Sequence, residues 1–291
     1  MARPIKDGKS AEATPDVTQN LRGYGHLDYM NHPLNFKIDV VSTALYPGRK
    51  HDFVKHAAKY FRLHPCRTLL EPFAGSAVTG FSLLYARIVE SLILVEKDEA
   101  VVCLLNGMLT DPNLAERFAA FECTRENVRQ VLAQETGAFQ YLVRSRVSNR
   151  AKWWGGLRTD IACRWCPDVV VPNLRRVYEM RDRITLIHGD GLEVMQAHAA
   201  DESVGCFADP AYTADSTSKG HTIYRHHRID HKRLFSILSN WRGPWLMTQD
   251  NCRLVRRLAL CHRFQTRRVR MNNSDNVIMH ELVIWRNRPM F

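Results

Sequence analysis

Nowhere in the 291 residues is there an apolar run approaching the ~18 needed to cross a bilayer. Met1 to Pro33 is polar and holds no apolar leader segment. A cytoplasmic protein with reduced cysteines is therefore expected. A second cysteine pair is also missing. Cys163-Arg-Trp-Cys166 is the one CxxC among eight scattered cysteines, no partner pair stands at zinc spacing, and no βαβ pattern surrounds it. It reads as two incidental thiols, and no metal is expected. Internal repeats, low-complexity tracts and a GxGxxG fingerprint are absent too. Acids are scarce: 30 Asp plus Glu face 41 Lys plus Arg, a formal net charge of +11. That balance favours a polyanionic partner and says nothing about fold.

What is present is ample apolar material, 45% of the chain, enough for one large or two modest domains. Residues 1–35 lack periodicity and read as a polar arm. Thereafter strand-like and helix-like segments alternate, which predicts an α/β layer fold. Strands are expected at Arg67–Glu71, Ser91–Glu96, Arg183–His188, Val204–Ala208 and Trp245–Gln249. Helices are expected at Val78–Ile88, Glu99–Leu109 and His231–Trp241, the last N-capped by Asp230. Arg267–Met271 and Val277–Trp285 read as a closing hairpin. Residues 111–182 break the alternation. A structureless loop of that length does not belong inside a domain, so it reads as an inserted, mainly helical subdomain. Between 141 and 185 ten Lys and Arg face four acids, with Trp153, Trp154 and Trp165 interleaved. The expected division is thus 1–35, a split core of 36–110 with 183–291, and the insert.

Three places carry chemistry. Glu71-Pro-Phe-Ala-Gly75-Ser76 joins a strand to a helix, where a glycine admits a ligand to the backbone and the helix start offers free N–H groups. Twenty-one residues beyond Gly75, Glu96 ends the next strand, where an acid can accept both ribose hydroxyls of a nucleoside cofactor. These two fit NAD or S-adenosylmethionine equally. Asp209-Pro210-Ala211-Tyr212 ends a later strand and decides between them. An exocyclic amine such as adenine N6 is a poor nucleophile because its lone pair is delocalised into the ring. A carboxylate and a backbone carbonyl accepting its two N–H bonds localise that pair, and an aromatic ring beside them stacks on the base. Nothing in this motif suits hydride transfer.

With those residues in order, the chain resembles the Dam-like N6-adenine DNA methyltransferases. The correspondence runs through Tyr46-Pro-Gly-Arg-Lys50, Phe73-Ala-Gly-Ser-Ala77, the insert 111–182, Asp209-Pro-Ala-Tyr212, then Tyr224 and Asp230-His231, covering roughly 45–285. The resemblance implies a Rossmann-like S-adenosyl-L-methionine-dependent sheet with a target-recognition insert, and methylation of adenine N6 in double-stranded DNA by base flipping. Tyr46 and Lys50 would meet the cofactor's methionine end. Phe73, Gly75 and Ser76 would line its loop, Glu96 would hold the ribose, and Asp190 the cofactor's adenine amine. Asp209, Pro210 and Tyr212 would hold the target adenine, and Asp209 would border the cofactor as well. Arg144, Arg146, Arg150, Lys152 and Arg158 are the candidate DNA contacts in the insert. Arg49, Ala77 and Ala211 stand where the family pattern has glycine, glycine and proline. The alternatives are RNA adenine methylation, a catalytically weak DNA-binding regulator on the same scaffold, and a nicotinamide-dependent dehydrogenase. A homodimer is left open.

Overall fold

The computed structural model describes residues 36–48, 50–149, 153, 155–213, 228–272 and 278–286. Seven strands form one sheet: β1 (Thr68–Glu71), β2 (Ser91–Glu96), β3 (Ile184–His188), β4 (Val204–Ala208), β5 (Trp245–Asp250), β6 (Gln265–Asn272) and β7 (Ile278–Trp285). Their spatial order is β3-β2-β1-β4-β5-β7-β6. The first five are parallel, and β7 lies antiparallel between β5 and β6. This is the expected Rossmann-like α/β sheet. The chain moves outward from β1 to β3, then crosses back to β4 on the other side of β1, so β1 and β4 flank the topological switch point.

The helices are α1 (Val54–Leu63), α2 (Val78–Tyr85), α3 (Glu99–Thr110), α4 (Leu114–Ala120), α5 (Arg125–Gln134), α6 (Ala138–Val147), α7 (Pro167–Glu179), α8 (Gly191–His198), α9 (His231–Asn240) and α10 (Arg253–Cys261). They cover both faces of the sheet, and the strands show it residue by residue. Leu69, Phe207, Leu246 and Val283 join the core under α1–α7. Their neighbours Leu70, Cys206, Met247 and Leu282 join the core under α8–α10. Successive strand residues point to opposite faces, so burial on both faces demands apolar residues throughout.

Asp98, Thr124, Asp190 and Asp230 cap their helices with side-chain oxygens. The helix expected at 78–88 ends sooner, at Tyr85, where Arg87 turns to a positive φ of 54°. Helices α1, α8 and α10 have no counterpart among the expected elements. α10 carries Leu254, Val255, Leu258 and Ala259 at helical spacing, a periodic signal set between its arginines, and buries Val255 and Ala259. Segment 111–182 contains four helices, α4–α7. They extend the α3 core rather than forming one of their own: Phe118, Leu142 and Val170 share a cluster with Leu104 and Met108.

Candidate active site

The carboxyl ends of β1, β2, β3 and β4 open into a cavity of about 270 Å³, close to the usual lower bound of about 300 Å³ for small-molecule sites. The backbone builds it from four strand ends. After Glu71 the chain turns through residues 72–77, held by Ala74 N–H donating to the Val95 carbonyl. Gly75 there has φ +49°, and a Cβ on it would lie 3.0 Å from Tyr46 Cδ1. Ala77 follows with φ 51°, a left-handed conformation that glycine adopts without the Cβ strain. Gly191 lets α8 begin against the same turn: a Cβ there would meet the Pro72 carbonyl oxygen at 2.0 Å.

All eight cofactor candidates line this one cavity: Tyr46, Lys50, Phe73, Gly75, Ser76, Glu96, Asp190 and Asp209. Pro210 and Tyr212 do not. The Glu96 carboxylate accepts N–H bonds from Gly75 at 2.9 Å, Lys97 at 2.8 Å and Asp98 at 2.9 Å. Burial raises its pKa against the pull of those three donors. Of the roughly four lone-pair positions on a carboxylate, about one remains for a ligand hydroxyl. Asp190 is engaged at both oxygens, capping Leu192 N–H at 2.9 Å and pairing with Lys97 Nζ at 3.0 Å. Burial works to raise its pKa, but the Lys97 hydrogen bond and charge and the Leu192 N–H hold it below the ordinary range.

At the cavity floor, Lys50 is 4% exposed. Its ammonium lies 2.8 Å from Asp209 Oδ1 and 3.4 Å from Glu281 Oε2. Thr248 donates its hydroxyl to Asp209 Oδ1 at 2.7 Å. Burial raises the Asp209 pKa, Lys50 lowers it, and the nearby Glu281 raises it again. Glu71, 3% exposed, accepts the Gly80 N–H at 2.8 Å through Oε1. Its Oε2 is buried with no hydrogen-bond partner among the described residues. Burial pushes the Glu71 pKa up to about 8, the Gly80 N–H opposing and Asp209 adding to the rise. Two carboxyls thus face one buried lysine, with a third beside them.

Tyr212 was expected to present its ring for stacking. Its hydroxyl donates to Glu281 Oε1 at 2.5 Å, tying the loop to β7. Thr213 is fixed likewise, its N–H and hydroxyl donating to the two oxygens of Asp250. Glu281, Asp250, Thr248 and Glu71 were not foreseen. Each had a signal: a polar residue at or inside an otherwise apolar strand is buried and must be paired.

The basic insert is corrected in part. Arg146 is 6% exposed and its guanidinium is bound to the Thr43 carbonyl, so it faces the interior and not DNA. Arg144 donates to the Trp153 carbonyl at 3.1 Å. Trp153 is buried, donates to the Leu45 carbonyl and meets the Tyr46 ring edge-on at 5.6 Å, supporting the cavity wall. Arg158 is partly exposed and its Nε donates to Cys163 Sγ at 3.2 Å. Arg150 and Lys152, like Arg49 and Tyr224, lie outside the described residues. No group of three or more His, Cys, Asp or Glu is placed to hold a metal among the described residues. No helix among them is long and apolar enough to cross a membrane.

No protein-family model matches the chain, and no curated protein does. Solved structures do match. A precorrin-6y C5,15-methyltransferase from Geobacter metallireducens aligns over 84% of this chain and 94% of its own, at 8% identity and a TM-score of 0.41. An rRNA methyltransferase, aviRa, from Streptomyces viridochromogenes aligns over 80% and 84%, at 13% identity and 0.40. TrmK from M. capricolum, solved with S-adenosyl-homocysteine, aligns over 81% and 68%, at 8% identity and 0.40. Likenesses this distant carry no argument about the reaction.

Proposed function

We propose that the chain is an S-adenosylmethionine-dependent methyltransferase acting on N6 of adenine in duplex DNA. The observation that carries this reading is the cavity floor, where Asp209 and Glu281 face Lys50 and Glu71 lies beside Asp209. An acid-rich floor suits a cofactor bearing a sulfonium and an α-ammonium group, and disfavours the pyrophosphate of NAD. The turn at Gly75 leaves room for close approach, Glu96 keeps an acceptor position for a ribose hydroxyl, and Glu71 Oε2 is unengaged among the described residues.

Bound there, S-adenosylmethionine would supply an electrophilic methyl group, with a neutral thioether as the leaving group. The remaining chemistry belongs to this chain. The Asp209 carboxylate and the Pro210 carbonyl accept the two N6 hydrogens and turn the nitrogen lone pair toward the methyl carbon. Asp209 has its pKa raised by burial, which makes it a better proton acceptor than an ordinary carboxylate once N6 has reacted. Lys50 and Thr248 fix its orientation. Glu281 holds Lys50 and Tyr212 together, so the lysine segment and the Asp-Pro loop move as one unit. Catalysis is mainly positioning and polarisation. The base must leave the duplex to reach the site, at a cost of a few kcal/mol. The test is transfer of a labelled methyl group to duplex DNA, single-stranded DNA and RNA. Label on duplex DNA supports the reading, whereas label on RNA alone, or none on any of the three, overturns it.

A further inference from the structure

Residues 251–272 hold seven arginines and no acid. The insert is basic too, but several of its described arginines are already engaged within the chain: Arg146 and Arg144 on carbonyls, and Arg175 in a two-pronged surface pair with Glu116 at 3.0 Å. The arginines of α10 and β6 differ. Arg253, Arg257, Arg263, Arg268 and Arg270 are exposed, and their side chains make no hydrogen bond or ion pair among the described residues. Arg256 reaches only Asn251, at 2.7 Å.

The topology puts them on one side. α10 packs through Val255 and Ala259 into the same core as Leu282 and Ile284 of β7. Cross-strand partners share a face, and Arg268 stands opposite Leu282, Arg270 opposite His280. Arg268 and Arg270 therefore extend outward from α10 on its side of the sheet. The patch also begins at the active site. Cys252, which caps α10, lies 3.1 Å from the Thr213 hydroxyl, and Val269 of β6 is paired with Glu281. From Arg253 to Cys261 the helix carries it about 12 Å along its axis, and Arg263 follows just beyond the helix end. Exposed arginines without acids, on an edge strand and the helix beside it, fit a row of phosphates and not an apolar partner.

We propose that the α10–β6 face is the surface on which duplex DNA lies by its phosphate backbone while a base is presented to Asp209. This rests on the reading of the site given above, and it moves the main backbone contact away from the insert. The competing account is a solvated basic surface that only sets the net charge. Two triple variants with the same charge change separate them: Arg257→Gln/Arg268→Gln/Arg270→Gln on the patch, and Arg87→Gln/Arg129→Gln/Arg183→Gln on other exposed faces. The measurement is fluorescence anisotropy of a labelled duplex against salt. Circular dichroism and S-adenosylmethionine calorimetry check that both variants fold and keep the cofactor site. The patch variant is expected to lower the slope of log affinity against log salt by about 2–3 units, at about 0.9 for each phosphate no longer neutralised, with the other variant close to wild type. Equal slopes in the two variants overturn the proposal, as does wild-type protein that binds RNA but no duplex. Wild-type protein that shows the patch-specific loss yet leaves the duplex unmethylated removes the reading of the reaction and leaves this surface standing.

Discussion

Replacing Glu71 by glutamine removes a buried titratable group while keeping its shape and the acceptor that holds Gly80 N–H. In the folded chain burial pushes Glu71 up to about 8 from an ordinary 4.5. The native state therefore keeps a proton that the unfolded chain has already released across that window. The stabilisation is complete below about pH 4.5 and is lost as pH rises toward and through 8, with a slope of about 1.4 kcal/mol per pH unit. The interval from 4.5 to about 8 at that slope sets a ceiling of about 5 kcal/mol, and relaxation around a buried charge reduces it, so about 2–4 kcal/mol is expected. Urea melts of both proteins from about pH 5 to about pH 8.5 read it directly. Wild type should lose this stability over the range, and Glu71→Gln should not. The two should nearly coincide at the acid end, with the variant more stable at the alkaline end. Parallel profiles would show that Glu71 does not titrate in that window, and the account of the acidic floor would lose its best-isolated member.

Asp209→Asn should cut turnover about 10²–10⁴-fold in a folded protein, since Lys50 keeps Glu281 at 3.4 Å; near-normal turnover takes Asp209 out of the chemistry. For Tyr212→Phe, the lost bond to a buried carboxylate should lower unfolding free energy by about 1.5–3 kcal/mol. A ring used for stacking alone would leave stability and turnover nearly unchanged, and chemical denaturation with steady-state kinetics distinguishes the two. Gly75→Ala places a Cβ 3.0 Å from Tyr46 Cδ1 at φ +49°, straining the turn by about 1–2 kcal/mol. S-adenosylmethionine should bind it at least tenfold more weakly by calorimetry, and unchanged affinity would mean the turn does not shape the cofactor site.

The parallel strands were legible because each is a short apolar run stopped by an acid, a glycine or a proline: Glu71-Pro, Glu96, His188-Gly and Asp209-Pro. The same stops put Gly75, Glu96, Asp190 and Asp209, distant in sequence, at strand ends around one cavity, and Tyr46 joins them from the segment before α1. What escaped was pairing across the sheet. That Glu281 reaches Lys50 and Tyr212 depends on β7 inserting antiparallel between β5 and β6, and chain order does not announce that arrangement. Charge counts misled as well. Arg146 lies in a basic run but points inward to a backbone carbonyl, whereas the exposed arginines of α10 sit on a helix whose apolar face, through Val255 and Ala259, leaves them outside. Composition records how many arginines a segment has, and only the fold records which are already partnered.

The most direct test of the central claim is nucleoside mass spectrometry of duplex DNA incubated with S-adenosylmethionine and either wild-type protein or Asp209→Asn. The account predicts N6-methyladenine formed by wild type and lost in the variant, while the variant still binds the cofactor. Methylation at another atom, or N6-methyladenine formed equally by the two proteins, would contradict it.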